Sequence, residues 1–265
     1  MSKNVGNFEI VMNPGELSKS KAKEFKALNQ KKERDKSALF LAEGEKCFKD
    51  LYPAFDVENI VCTKGWYERN HDLIKTSEDK VLISDRRGIE IISSFSSLPE
   101  VIGVFRKPVK SNFNLKLEKS KFYLLLDEVQ DPGNLGTIIR TCDWFGVYDI
   151  FASPNTVDVY SPKVVQSTMG SLSRVKVHYL DLKEVINEKK EIPLLGTLLN
   201  GVPVNEYHPE SGALIIMGNE GRGISEELKS MIDVPLTIPP VNKEAHPDSL
   251  NVAIATAIIL NSLIS

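Results

Sequence analysis

Met217-Gly-Asn-Glu-Gly-Arg-Gly-Ile-Ser225 places three glycines and one carboxylate between a short apolar run and a helically spaced one. Upstream, Gly212-Ala-Leu-Ile-Ile-Met217 has strand length. Downstream, Ile224-Ser-Glu-Glu-Leu-Lys-Ser-Met-Ile232 has helical spacing, with Ser225 in the N-cap position. Gly218, Gly221 and Gly223 therefore fall where a buried strand hands over to a helix. Glycine there permits positive φ and close backbone approach by a ligand. Glu220 is presented in the same turn. In open α/β sheets ligands sit beyond the carboxyl ends of strands, where this turn would lie. No Gly-Lys-Ser/Thr follows, so the turn is not a phosphate-binding P-loop, and its glycine order is not that of the dinucleotide fingerprint. The plain alternative is a mobile turn without chemistry.

Outward from that turn, alternating signals run the length of the chain. Phe122-Tyr-Leu-Leu-Leu126 reads as a buried strand, Asp127–Gly136 as the loop after it, and Thr137–Phe145 as a helix one turn into which Arg140 sits. Strands are expected at Val147–Phe151, Pro193–Leu199 and Val234–Ile238. A helix within Ser161–Leu172 carries Val164, Val165 and Met169 on one side. Leu250–Leu263 is a helix apolar most of the way round, which implies burial on several sides, in a core or against a partner subunit. Before residue 105 the same alternation recurs at higher density. Leu17–Lys36 is expected as a single basic helix, with strands at Ala38–Leu41, Ile60–Cys62, Val81–Ile83 and Val101–Phe105. These signals divide the chain into an α/β domain over 1–105, a linker over 106–120 and a second α/β domain over 121–265.

With 265 residues, 42% hydrophobic and 26% charged, the chain has the profile of an ordinary globular protein. Cys47, Cys62 and Cys142 are isolated and without metal-type spacing, the four histidines are scattered, and no apolar run reaches the ~20 residues of a membrane span. The start lacks the apolar core of a secretory signal. A cytoplasmic protein without a metal is the expectation. The net charge of −3 hides two basic segments, Ser18–Lys36 and Arg106–Lys121, each with a local excess of +5. They read either as a footprint for a polyanion or as solvated lysine faces.

Three loops at strand ends now stand together. Asp131-Pro-Gly-Asn-Leu-Gly-Thr-Ile-Ile-Arg-Thr, Met217-Gly-Asn-Glu-Gly-Arg-Gly-Ile-Ser, and Ile238-Pro followed by Ser249-Leu-Asn-Val-Ala-Ile-Ala-Thr-Ala resemble, in order and spacing, the three motifs of the TrmH/SpoU branch of the SPOUT superfamily of RNA ribose 2′-O-methyltransferases. Leu17–Phe105 is more loosely similar to a ribosomal-protein-like substrate-binding domain, with Phe40-Leu-Ala-Glu-Gly-Glu its best match. The resemblance implies a C-terminal trefoil-knotted α/β methyltransferase domain, a homodimer whose active sites draw on both subunits, and S-adenosylmethionine as cofactor. It implies cofactor contacts from the main chain of Gly218, Ile238 and Leu250, with Thr197 and Leu198 as neighbours. It implies Arg140 as the residue most tied to catalysis, helped by Asn134, Glu220, Ser249 and Asn251.

A guanidinium holds its proton far above neutral pH and makes a poor general base. Arg140 therefore reads as a grip on the phosphate that orients the 2′-hydroxyl. Plainer readings stand beside these: Asn134 as an Asx-turn residue, Glu220 as a solvated turn acid, Ser249 as the N-cap of the last helix. Cys142 reads as quiet packing, and His246, in the polar insertion Pro240–Asp248, as a surface residue. Ribosomal RNA is the leading substrate, transfer RNA the runner-up, and an RNA-binding protein without turnover the alternative class.

Overall fold

A computed structural model describes residues 14–108, 116–242 and 247–264. The chain divides into two compact units, Met1–Lys107 and Pro108–Ser265. Residues 1–13, residues 109–115 of the linker and His246 lie outside the described residues.

The first unit runs β1 (Gly15–Glu16), α1 (Lys19–Ala27), α2 (Lys31–Ser37), β2 (Leu39–Glu43), α3 (Glu45–Leu51), β3 (Val57–Cys62), α4 (Lys64–Ile74), β4 (Val81–Ile83), α5 (Arg86–Ile92) and β5 (Val101–Arg106). Its sheet has the order β1-β4-β3-β5-β2. β1, β4 and β3 pair in parallel, and β5 runs antiparallel to both β3 and β2. The basic segment is two helices rather than the single one expected. Ser18 caps the first, its Oγ accepting from Lys21 N at 3.2 Å. The break at Leu28–Gln30 is held by buried Arg34, whose guanidinium donates to Leu28 O at 2.8 Å and Asn29 O at 3.0 Å. One of the eight cations in Ser18–Lys36 is thus a structural tie satisfying orphan carbonyls at a helix end. Buried Glu43, at the end of β2, accepts hydrogen bonds from Ser93 Oγ, from Ser94 N at 3.1 Å and from Ser94 Oγ at 2.9 Å.

The second unit runs β6 (Tyr123–Leu126), α6 (Pro132–Trp144), β7 (Asp149–Ala152), α7 (Pro162–Ser167), β8 (Lys176–Tyr179), α8 (Leu182–Asn187), β9 (Leu194–Pro203), β10 (Leu214–Met217), α9 (Glu226–Lys229), β11 (Val234–Thr237) and α10 (Val252–Ile264). The six strands lie in the order β11-β9-β10-β6-β7-β8, with every neighbouring pair parallel. Leu124, Leu125, Leu126, Ile215 and Ile216 are fully buried, as strands covered on both faces require. Parallel pairing aligns the carboxyl ends of β6, β9, β10 and β11 along one rim of the sheet.

Several expectations shift. α6 begins at Pro132, five residues earlier than read, because Asp131 caps it and proline suits the first helical position. Met169 is left-handed with φ +49° and 41% exposed, so it ends the α7 region instead of packing with Val164 and Val165. The helix after Ser225 is only the single turn of α9. α10 buries one stripe, Val252, Ala253, Thr256, Ile259, Leu260 and Leu263, while Ile254 is 52% exposed. It is therefore not covered all round within this chain. Among the described residues no helix is long and apolar enough to cross a membrane.

Candidate active site

The rim carries three loops, and their side chains meet. Asp131 Oδ1 accepts from Asn134 N at 2.8 Å, which caps α6 and places Asn134 in its first turn. Asn134 is then free of any turn-forming duty; Asp131 performs it. From the loop after β10, Glu220 Oε1 accepts from Asn134 Nδ2 at 3.0 Å. From the start of α10, Asn251 Nδ2 donates to Asn134 Oδ1 at 2.9 Å. Asn251 is also the helix cap, its Oδ1 accepting from Ala253 N at 2.9 Å and Ile254 N at 3.3 Å. Ser249, weighed above as the cap, is exposed two residues earlier. The carboxylate of Glu220 fixes the orientation of both amides: it can only accept, so Asn134 must point its NH₂ at Glu220 and its carbonyl at Asn251.

Arg140 lies elsewhere. Six residues beyond Asn134, it sits ~9 Å farther along α6 and about 120° around it. It is exposed, and among the described residues its guanidinium has no ion-pair or hydrogen-bond partner. Within one chain, Asn134, Glu220 and Asn251 come together; Arg140 and Ser249 stay outside their network.

The glycine-rich turn closes on itself. A Cβ on Gly218 would lie 2.2 Å from Gly223 C and 2.3 Å from Ile224 N, and Gly223 has φ +71°. The close approach that requires Gly218 is thus the chain's own backbone. Asn219 and Gly223 exchange main-chain hydrogen bonds at 3.0 and 2.9 Å. Asn219 Oδ1 accepts from Gly221 N and Arg222 N at 2.9 and 3.0 Å, while its Nδ2 donates to Glu128 O at 2.8 Å. Asp127 Oδ2 accepts from Ser225 N at 2.8 Å. Asp127, Glu128 and Asn219 were not singled out in the sequence. The available signal was two acids directly ending a buried strand and an asparagine opening a glycine turn.

Thr197, Leu198, Gly218 and Ile238 are half-buried along the same rim and Leu250 is 50% exposed. Residues 197–201 fall between the two stretches of β9 that pair with β11, Gly196 opposite Pro235 and Val202 opposite Leu236. Thr197 Oγ1 donates to Ile216 O at 3.1 Å and Thr237 Oγ1 to Leu199 O at 3.0 Å, which pins that excursion. The set offers apolar side chains and main-chain polar groups. Such a lining suits a flat uncharged base and not a string of phosphates. Cys142, on the buried face of α6, has its thiol pushed up by burial and carries no nucleophile.

Comparison with known proteins follows this division. The SpoU rRNA Methylase family matches residues 121–261, and the MRM3-like substrate binding domain matches residues 19–97. A 23S rRNA (guanosine(2553)-2′-O)-methyltransferase of Bacillus subtilis is 31% identical over 92% of this chain and 95% of its own length. A crystal structure of an AdoMet-bound rRNA methyltransferase from Sinorhizobium meliloti is 29% identical, with a TM-score of 0.82 over 95% of this chain and 96% of that one. A putative RNA methyltransferase of the TrmH family from Porphyromonas gingivalis is 32% identical, with a TM-score of 0.79 over 93% and 97%.

Proposed function

The chain belongs to the SpoU rRNA Methylase family, and from that premise we propose that it methylates the 2′-hydroxyl of a ribose in ribosomal RNA, with S-adenosylmethionine as donor. The observation that carries the reading is the Asn134–Glu220–Asn251 network, which joins all three rim loops through side-chain hydrogen bonds. Ribosomal rather than transfer RNA is supported by the Bacillus subtilis relative, matched over nearly its whole length.

The donor fits the residues present. Leu198, Ile238 and Leu250 supply apolar walls, and the main chain at Gly218 supplies polar groups without a competing cation. Bound there, S-adenosylmethionine would supply an activated methyl group for the ribose 2′-oxygen, which gives up its proton in exchange. What remains for the chain is positioning, the term worth most in such a reaction. Asn134, held by two partners, presents a fixed amide toward the rim. Arg140 grips the phosphate beside the acceptor sugar and aims the hydroxyl. The proton passes to that phosphate, to water or to Glu220. Ser249, exposed beside Leu250, contacts RNA or cofactor at the open edge.

The place of Arg140 supports a homodimer. A guanidinium without a partner among the described residues, on a flank of α6 turned away from its own network, serves the site of a second copy, and the half-exposed Ile254 is part of the face such a copy covers. The domain division proposed here is an RNA-binding domain over 1–105, a linker over 106–120 and the methyltransferase domain over 121–265. A cytoplasmic location is supported by three free, buried cysteines.

Two experiments test the reading. Tritiated S-adenosylmethionine is incubated with the protein and ribosomal RNA from cells lacking it, and the methylated position is mapped. Transfer to a ribose 2′-oxygen is expected; a fully methylatable RNA left unlabelled sinks the reading. Mixing Arg140→Ala protein with Gly218→Val protein then tests the shared site. Activity is expected to return on subunit exchange, whereas a mixture as dead as its components places Arg140 and the pocket in one chain.

A further inference from the structure

Glu128, two residues past the end of β6, has a backbone that side chains rarely adopt, φ +58°. Two loops hold it there. Its own N–H donates to Ser153 Oγ at 2.9 Å, and its Oε1 accepts from Asn155 Nδ2 at 2.7 Å, both partners in the loop after β7. Its carbonyl accepts from Asn219 Nδ2 at 2.8 Å, and its Oε2 pairs with Arg222, both in the loop after β10. Each polar group of the residue therefore ties a neighbouring loop. Strained backbone of this kind persists only where the surroundings over-determine it.

The two β10-loop partners bracket Glu220 in sequence, and Gly218 directly precedes Asn219. Without the Glu128 side chain, the turn keeps the Asn219–Gly223 main-chain pair and the Asn219 Oδ1 bonds, together with three ties beyond itself: Ser225 N to Asp127 Oδ2 at 2.8 Å, Asn219 Nδ2 to the Glu128 carbonyl at 2.8 Å, and Asn134 Nδ2 to Glu220 Oε1 at 3.0 Å. None of these holds the side chain of Arg222, two residues past Glu220. The Glu128 carboxylate does, and through Asn155 it ties that end of the turn to the loop after β7.

We propose that Glu128 is a positioning residue for methyl transfer, setting where Glu220 meets Asn134 and where the Gly218 main chain meets the donor. The inference rests on the reading of the site as a methyltransferase. It predicts a split between kinetic constants, because Glu128 touches neither RNA nor donor. Glu128→Ala lowers kcat about 30-fold, as loss of alignment does, while the KM for RNA stays within about twofold. Glu128→Gln, which still accepts from Arg222 and can pair with a flipped Asn155 amide, recovers most of kcat. Glu128→Gly separates alignment from folding. Glycine accepts φ +58° freely, so its Tm exceeds that of Glu128→Ala, yet kcat stays as low.

The experiment measures Tm, both kinetic constants and amide exchange across Asn219–Ile224 in wild type and the three variants. Faster exchange of that turn in the Ala and Gly variants is expected and needs no turnover. Unchanged exchange, or kcat in Glu128→Gly rising with its Tm, overturns the inference. A wild type that transfers no methyl group overturns the functional reading instead, and exchange still decides whether Glu128 fixes the turn.

Discussion

The N-terminal sheet is packed with rings, the C-terminal sheet with branched aliphatic chains. Phe25, Phe40, Phe48, Trp66 and Phe105 are fully buried in the first unit, with Phe40 edge-on to Phe55 at 5.2 Å and Phe48 to Trp66 at 5.4 Å. In the second, Leu124, Leu125, Ile138, Ile139, Ile215 and Ile216 fill the space around the parallel strands. Their polar groups differ in the same way. Arg34 and Glu43 are buried singly and tie the N-terminal unit from within, whereas Asp127, Glu128, Asn134, Asn219, Glu220 and Asn251 gather on one rim of the C-terminal sheet. Polar side chains spread through an interior serve stability. Polar side chains collected at the carboxyl ends of parallel strands serve a ligand. Each unit should accordingly fail in its own way.

The sharpest break of that contrast is at Arg140. Arg140→Ala is expected to cut turnover about 100-fold or more, as loss of one preorganised charged contact does, with Tm unchanged. Arg140→Lys should keep measurable activity, since a lysine still grips a phosphate. Equal, total loss in both with RNA binding intact would remove the gripping role. Next comes Phe48→Ala, which leaves a ring-sized hole beside Tyr52, Trp66 and Phe105 and should cost about 3–5 kcal/mol by denaturant titration. S-adenosylmethionine binding should be untouched; a parallel loss would mean that the two units do not fail separately.

Glu43→Gln is smaller. Replacing a buried acceptor of three hydrogen bonds by an amide leaves a mismatched group at Ser93 or Ser94 and should cost about 1–3 kcal/mol, with kcat at saturating RNA unchanged. The smallest effect belongs to Asp149, on the far side of the C-terminal sheet from the rim. The hydrogen bond from His178 holds its carboxyl below the ordinary aspartate value, against the opposing pull of burial. A depressed value contributes stability above the unfolded value of about 4 and loses it as pH falls through the folded one. Asp149→Asn should therefore lower Tm slightly at pH 7, with the gap to wild type closing below about pH 4. A gap that widens in acid would reverse the sign.

The three rim loops were legible because their glycines, prolines and asparagines have no other use between apolar runs. What escaped notice has physical reasons. β8 and α8 are four and six residues long, too short for either period to register. Proline and glycine make Asp127–Gly136 read as a loop, though an aspartate before a proline is equally a helix start, and the loop reading leaves Asn134 outside α6. The strand expected to stop at Leu199 is followed by the turn-type residues Gly201 and Pro203, yet β9 continues to Pro203 because its second stretch pairs with β11. Arg34 could not be told from its neighbouring cations by counting charge. The separation of Arg140 from Asn134 follows from helix geometry once the helix start is right. Glu128 left no trace in the pattern, since positive φ at a non-glycine is imposed by tertiary contacts.

Asn251 holds two appointments at once: its oxygen starts α10 and its nitrogen reaches Asn134. Folding asks only for the oxygen, so aspartate or serine there would satisfy a library screened for thermal endurance. Only a side chain bearing acceptor and donor at the same spacing would pass a screen for modified RNA. Running both screens on randomised position 251 would read off, from the gap between the two surviving alphabets, how much of the rim is scaffold and how much is instrument.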